Sequence, residues 1–179
     1  MAPSGFRLPV YLFIIFWGAC GPPPAPKGPP PPRFHDRTRG VSIDPPAPPY
    51  IASETDSADS VLHFADPATH AGIHIYAFAA SGGTDETAVH DRAAAYVRGL
   101  ESSVAGLQML GQRALERFGL KGIELEYDGG VEPRMRSIDW LLYAPGMVYV
   151  IKVRAPAEKF AELAAPLLTS RATLSIEPR

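Results

Sequence analysis

The clearest pattern in the chain is an alternation of apolar and polar residues that begins at Val61 and recurs almost to the end. Residues 61–64 and 73–78 are β-prone runs around a turn-rich segment, so they predict a hairpin. Apolar residues then recur at spacings of three and four, which predicts an amphipathic helix over residues 85–102 with Thr84 as its N-cap. The buried stripe of this helix is expected to consist of Val89, Ala93, Tyr96, Val97, Leu100 and Val104.

The next segment, residues 107–127, has two interpretations. Helix propensity alone extends the first helix through residues 107–118, which are rich in Gln, Leu, Arg, Ala and Glu. Gly119-Leu120-Lys121-Gly122 is a turn signal, however, and residues 123–127 alternate cleanly. Because propensity is a weak prior that tertiary packing overrides, we predict a hairpin that turns at residues 119–122.

A further hairpin and a second helix complete the pattern. Residues 135–143 and 147–153 are strand-like and are joined by the tight-turn sequence Ala144-Pro145-Gly146. Pro156 suits the first position of a helix, and Pro166 is expected to kink or end that helix. Its buried stripe is expected to contain Phe160, Leu163, Ala164 and Leu167. Short strands are expected within residues 36–43 and 172–176.

These elements predict a single α+β domain over residues 50–179, in which an antiparallel sheet of about six to seven strands is flanked by two helices. Their order resembles the PsbP-like α/β/α sandwich. The residues that carry the resemblance are Phe64-Ala65-Asp66-Pro67, Gly119-Leu120-Lys121-Gly122-Ile123-Glu124, Tyr149-Val150-Ile151-Lys152-Val153 and Ser170. The resemblance implies helices packed on an antiparallel sheet, in a family that serves for binding rather than catalysis and that includes small bacterial lipoproteins.

The N-terminal residues have the pattern of an export signal. A short apolar run over residues 8–17 follows Arg7, and Gly18 and Ala19 place two small side chains before Cys20. A run of this length fits a signal peptide better than a membrane span. Trp17-Gly18-Ala19-Cys20 resembles the bacterial lipobox, which implies cleavage between Ala19 and Cys20 and acylation of the Cys20 thiol. We therefore expect a lipoprotein signal peptide over residues 1–19.

Two alternatives to the lipobox are an ordinary secretory signal with an incidental cysteine and an uncleaved anchor. Cys20 is the only cysteine of the chain, so no disulfide framework competes for its thiol. Gly21 follows Cys20 at the position where Asp commonly signals retention on the inner membrane. By resemblance to Gram-negative sorting, we expect a lipid anchor in the outer membrane that faces the periplasm.

Residues 20–49 are dominated by proline, with twelve of the twenty prolines between Gly21 and Pro49. Proline fixes φ and offers no amide donor, so this segment is expected to be an extended tether that holds the domain away from the membrane. The alternative is a docking ligand for a proline-recognising partner or for the cell wall. The net charge of −2 and the absence of a basic run argue against a nucleic-acid partner.

Two groups of residues are candidates for metal binding or catalysis. His63, His70 and His74 cluster around the first hairpin, and His63 is placed to face His74, but they form no metal-binding spacing motif. Glu86 and His90 lie four residues apart on one helical face, a pattern that solvated helices often show. We therefore predict no metal, no cofactor and no catalytic residues.

A candidate binding surface lies in the last hairpin. Arg134, Arg136, Lys152 and Arg154 are expected to gather on one face of the sheet because side chains alternate along a strand, and Trp140 lies in the same hairpin. The alternative is a solvated edge whose charges oppose aggregation.

The function that fits this pattern best is a lipid-anchored, non-enzymatic module that binds another envelope protein. The alternatives are an envelope hydrolase and a periplasmic module that binds a metal or a small ligand.

Overall fold

The computed structural model describes residues 32–53 and 57–177, and these residues form an α+β fold, as predicted. A seven-stranded antiparallel sheet has the order β3-β4-β5-β9-β8-β7-β6, and a three-stranded sheet has the order β1-β2-β10. The strands of the large sheet are β3 (Ile51–Ala52), β4 (Ser60–Ala65), β5 (Gly72–Ala79), β6 (Gln108–Arg117), β7 (Leu120–Gly129), β8 (Met135–Ala144) and β9 (Met147–Pro156). The remaining elements are β1 (Phe34–Asp36), β2 (Val41–Ile43), β10 (Ser175–Ile176), α1 (Glu86–Ser103) and α2 (Phe160–Ala172).

The predicted hairpin over residues 107–127 is confirmed, because β6 pairs with β7 along its whole length. The turn lies earlier than predicted: it consists of Phe118 and Gly119, whose φ values of 56° and 71° suit a two-residue hairpin turn.

Gly122, which follows the turn, is required by the close packing of two strands. A Cβ at this position would lie 2.0 Å from the carbonyl oxygen of Leu141, so the absence of a side chain allows β8 to approach β7 closely.

The two helices pack on opposite faces of the large sheet, α1 against β7 and α2 against β9 and β5. The N-cap of α1 is Asp85 rather than the predicted Thr84, because the Asp85 carboxylate accepts from the Ala88 amide at 3.0 Å. Pro156 ends β9 instead of opening α2, and a short 3-10 turn separates them. Pro166 lies inside α2 without ending it, and Ala164 and Leu167 on either side of it are both buried.

The folded part of the chain includes residues 34–49 of the segment that was predicted to be tether. The chain already forms the β1–β2 hairpin over residues 34–43, and β2 pairs with β10 near the C-terminus. Val41, Ile43 and Tyr50 are buried in the core, so this proline-containing segment packs against the domain because it contributes apolar side chains. Ala19, Cys20 and the rest of residues 1–31 lie outside the described residues.

Each face of the large sheet has its own hydrophobic core. The face covered by α2, called the α2 face, carries Ile73, Ile75, Ile151 and Val153, all of them fully buried. The opposite face, called the α1 face, packs Leu125, Leu141, Tyr143 and Val150 against Val89, Ala93 and Leu100 of α1. Because side chains alternate along each strand, successive residues of the same strands contribute to the two cores in turn.

Candidate functional site

A row of polar side chains crosses the α1 face of the sheet. The strand register places His63 of β4 opposite His74 of β5, His74 opposite Lys152 of β9, and Lys152 opposite Asp139 of β8. Directly opposite residues of antiparallel strands project from the same face, so the four side chains lie side by side. The same strands place only apolar or small residues at the neighbouring positions that face α2, among them Ile73, Ile75, Ile151 and Val153.

Asp139 is the most buried member of this row, with none of its surface exposed. Its Oδ2 accepts hydrogen bonds from the Tyr96 hydroxyl at 2.7 Å and the Tyr127 hydroxyl at 3.0 Å, and it lies 3.4 Å from Nζ of Lys152. Its Oδ1 is buried without a hydrogen-bond partner among the described groups. Burial raises the pKa of Asp139, and burial together with the nearby carboxylate raises the pKa of both phenols.

Lys152 connects this buried carboxylate to a surface groove. The groove, called the α1 groove, has a volume of about 490 Å³ and is lined by Tyr76, Phe78, Tyr96, Gly99, Leu100, Val150 and Lys152 together with small residues of α1. The Lys152 side chain is 21% exposed and lines the groove, and its ammonium is paired with the Asp139 carboxylate. The arrangement is a largely apolar groove with one charged side chain, Lys152, in its lining.

His74 is the centre of a second polar cluster beside the groove. Its Nε2 is 2.9 Å from the Ser60 hydroxyl and its Nδ1 is 2.8 Å from the Tyr76 hydroxyl. Its ring stacks between His63 at 4.4 Å and Tyr76 at 3.9 Å, measured between ring centroids. Burial lowers the pKa of His74 to about 4, and the positive charges of His63, Lys152 and Arg154 act in the same direction. The imidazole is therefore neutral at neutral pH.

The candidate surface predicted from the last hairpin does not form a single patch. Lys152 and Arg154 project from the α1 face, whereas Arg136 and Trp140 project from the α2 face, because the register pairs Asp139 rather than Arg136 with Lys152. Arg136 is bonded to the Asp128 carboxylate at 2.8 and 3.1 Å. Arg134 is exposed before β8 begins and bonds to Gln108 at 3.0 Å.

Trp140 lies in the core rather than on a binding surface. Its indole nitrogen donates to Oε2 of Glu124 at 2.6 Å, and the guanidinium of Arg171 lies 4.0 Å from the ring centroid. Only 8% of its surface is exposed. Tyr143 of the same hairpin is buried on the other face, and burial raises the pKa of its hydroxyl to about 12.

Other candidates of the sequence analysis lie apart from the groove. Glu86 and His90 are both exposed on α1, and His70 is in the turn between β4 and β5. Within residues 32–53 and 57–177, no group of three or more His, Cys, Asp or Glu side chains is arranged to hold a metal ion. None of the helices in this described part of the chain is long and apolar enough to cross a membrane.

Sequence reasoning missed Asp139, Tyr127, Ser60 and Gly99. It also placed Tyr96 only in the apolar stripe of α1. A carboxylate in the strongly apolar run around Trp140 was an available signal, since a charged residue in a buried strand needs partners. The partnership of Ser60 with His74 had no signal of this kind, because Ser60 lies at the start of a strand fourteen residues earlier.

No family model matches the sequence, and no curated protein matches it either. Solved structures with similar folds include cyanobacterial PsbP (CyanoP) from Synechocystis sp. PCC 6803, which is 13% identical with a TM-score of 0.61 over 90% of this chain and 99% of that one. LpqN, involved in cell envelope biogenesis of Mycobacterium tuberculosis, is 16% identical with a TM-score of 0.60 over 82% of this chain and 90% of that one.

PA94 of Pseudomonas aeruginosa, a protein of unknown function and putative regulator, is 12% identical with a TM-score of 0.52 over 82% of this chain and 86% of that one. At these identities, the similarities show the fold. The chain has the PsbP-like fold that its element order predicts.

Proposed function

We propose that this chain is a lipid-anchored accessory protein of the cell envelope whose folded domain binds an envelope component in the α1 groove without catalysing a reaction. Cys20 carries the anchor in the outer membrane, and the proline-rich segment that precedes the domain gives it reach. The shared fold with LpqN, which is involved in cell envelope biogenesis, supports an envelope role.

The observation that carries the binding role is the fixed cation in an apolar groove. Burying Asp139 is costly unless its charge is matched, and Lys152, Tyr96 and Tyr127 all direct hydrogen-bond donors at it. On the opposite face, the packing of aliphatic side chains such as Ile151 and Val153 carries no such cost. The network keeps the Lys152 ammonium in position at the groove, which is what a site for a negatively charged group requires.

A serine hydrolase is the second candidate, because the Ser60 hydroxyl is 2.9 Å from Nε2 of His74. Binding is favoured over this chemistry for two reasons. A base whose pKa is about 4 is poorly matched to removing a proton from serine at neutral pH. The partner of Nδ1 is the neutral phenol of Tyr76 rather than a carboxylate, so a protonated imidazole lacks the charge that stabilises it in serine triads.

Measuring ester and peptide turnover distinguishes the two functions. We expect no turnover from the purified chain, and we expect Ser60→Ala to retain binding in the groove. Turnover that disappears with Ser60→Ala and with His74→Ala would establish the hydrolase instead.

The anchor is tested by membrane fractionation of Cys20→Ser. If Cys20 is acylated, this variant accumulates as uncut precursor or its mature form moves to the soluble fraction. Normal cleavage before residue 20 with unchanged membrane association would contradict the anchor. This experiment is independent of the groove, so its outcome leaves the binding proposal open to its own test.

The groove is tested by capture of envelope components on the immobilised chain. We expect Gly99→Phe to abolish specific capture, because a phenyl ring at position 99 occupies the groove. Glu101→Phe is the matched control, since it adds the same ring to an exposed position of α1 that does not line the groove. Equal capture by both variants would contradict binding in the α1 groove.

A further inference from the structure

Gly99 is a glycine without a conformational reason for being one. It lies within α1, which spans Glu86–Ser103, and its φ is not positive. A Cβ built at this position meets nothing within 4 Å, so no neighbour requires the absence of a side chain. Glycine weakens a helix interior relative to alanine. The small size of Gly99 leaves space on the side of α1 that lines the groove.

The walls of the α1 groove differ in character. Ala95, Gly99 and Ser103 recur every fourth residue and give the helical wall a low profile, whereas Tyr76 and Phe78 form an aromatic wall on β5. The Tyr76 and Phe78 rings are stacked with a centroid separation of 5.8 Å, and Phe78 is 36% exposed. The result is an open apolar channel along one side of the helix.

The side-chain hydroxyl groups that line the groove already have hydrogen-bond partners within the protein, whereas the ammonium of Lys152 has donors left over. The Tyr76 hydroxyl is bonded to His74, the Tyr96 hydroxyl to Asp139, and the Ser103 hydroxyl to the carbonyl of Gly99. Among the described residues that line the groove, Lys152 is the only charged one. An ammonium has three donors, and Asp139 accepts one of them, so donors remain for a ligand.

We propose that the α1 groove binds a free long-chain fatty acid, with its carboxylate on Nζ of Lys152 and its acyl chain along Phe78, Val150 and Leu100. This inference rests on the proposed binding function and names the class of ligand. A single negative charge complements the single cation of the lining. The acyl chain needs no hydrogen bonds, which suits walls whose hydroxyls are committed elsewhere.

The size and chemistry of the groove select this occupant over larger ones. A volume of about 490 Å³ lies in the lower half of the range of ligand pockets, which suits one acyl chain better than the two chains of a diacyl phospholipid. An extended peptide brings an amide and a carbonyl at every residue, and these groups lose free energy when buried without partners. The groove offers them few partners beyond Lys152.

The experiment uses the chain from residue 20 onward with Cys20→Ser, which contains every described residue and carries no acyl group of its own. Palmitate binding is measured by displacement of a fluorescent fatty acid, cis-parinaric acid. 1-Hexadecanol, which has the same chain length without the charge, is the ligand control. Gly99→Phe closes the groove without altering the Lys152–Asp139 pair, and Glu101→Phe controls for an added ring on α1.

We expect palmitate to bind at least about tenfold more tightly than 1-hexadecanol, and Gly99→Phe to weaken palmitate binding at least about tenfold while Glu101→Phe leaves it unchanged. Lys152→Gln is expected to remove the preference for palmitate over the alcohol. Palmitate that binds Gly99→Phe as tightly as the parent chain, or with no preference over the alcohol, would overturn the proposal. If palmitate fails to bind while envelope capture still depends on Gly99, the ligand class is wrong and the proposed binding function stands.

Discussion

The two faces of the seven-stranded sheet are formed by the same strands but differ in composition. On β5 and β9, the residues facing α2 include Ile73, Ile75, Ile151 and Val153, all with no exposed surface. The residues between them on the α1 face include His74, Tyr76 and Lys152, which are only half-buried. One face is therefore a closed aliphatic core, and the other combines a core with a polar row and a groove.

The positions of the helices explain this difference. α2 packs across β9 and β5 at the middle of the sheet, whereas α1 packs on β7 and leaves part of β5 and β9 uncovered on its face. Polar side chains in the uncovered region stay close to water, and the one carboxylate that is fully buried there has three donors. We infer that stability resides mainly on the α2 face and binding on the α1 face.

The largest expected effect is on the α2 face. Ile151→Ala should lower the free energy of unfolding by about 3 kcal/mol, because it removes a fully buried side chain and leaves a cavity between β9 and α2. Urea unfolding measures the change. Ligand binding by the fraction that remains folded should be unaltered. A loss of less than about 1 kcal/mol would contradict the assignment of the main core to this face.

A smaller loss is expected from the polar row. Lys152→Met should destabilise the protein by about 2 kcal/mol at neutral pH, since it leaves the carboxylate of Asp139 without its cation. The raised pKa of Asp139 predicts that this loss shrinks in acid, where the carboxyl group takes up a proton. The double variant Lys152→Met with Asp139→Asn should recover most of the loss. Additive effects in a double-mutant cycle would show that the two side chains are not coupled.

The His74 cluster predicts a pH dependence. The native pKa of His74 is about 4 and its ordinary value is 6.5, so the unfolded chain binds a proton in this interval that the native protein does not. Stability should therefore fall as the pH falls from about 6.5 to 4. His74→Gln should reduce that fall by about 1 kcal/mol, because the ring is only half-buried and solvent screens part of its charge. Parallel pH profiles for the two proteins would contradict this assignment.

The smallest effects belong to the exposed surface of α1. His90→Ala and Glu86→Ala should each change the free energy of unfolding by less than about 0.5 kcal/mol, because both side chains are exposed. Neither should change binding in the groove. A large loss of cellular function with normal stability would instead point to a role for this helical turn.

The pattern of apolar residues predicts the sheet and both helices, because alternation and three-to-four spacing report directly which residues face a core. The same pattern predicts that His63 faces His74, and the register confirms it. It does not predict the groove. Lys152 shares its face of the sheet with Asp139 and not with Arg136, and this depends on the register between β8 and β9. A shift of one residue in that register would place Arg136 on the face of Lys152 instead. The space beside Gly99 depends on where α1 lies across the sheet.

The assignment of binding to the α1 face is tested most directly by NMR. Amide chemical-shift changes are mapped while the protein is titrated with a lipid extract of bacterial membranes. We predict that the largest changes occur at Tyr76, Phe78, Val150 and Lys152 and along residues 95–103, while residues 160–172 of α2 change little. Changes centred on α2 or on β6, with the groove residues unaffected, would contradict this assignment.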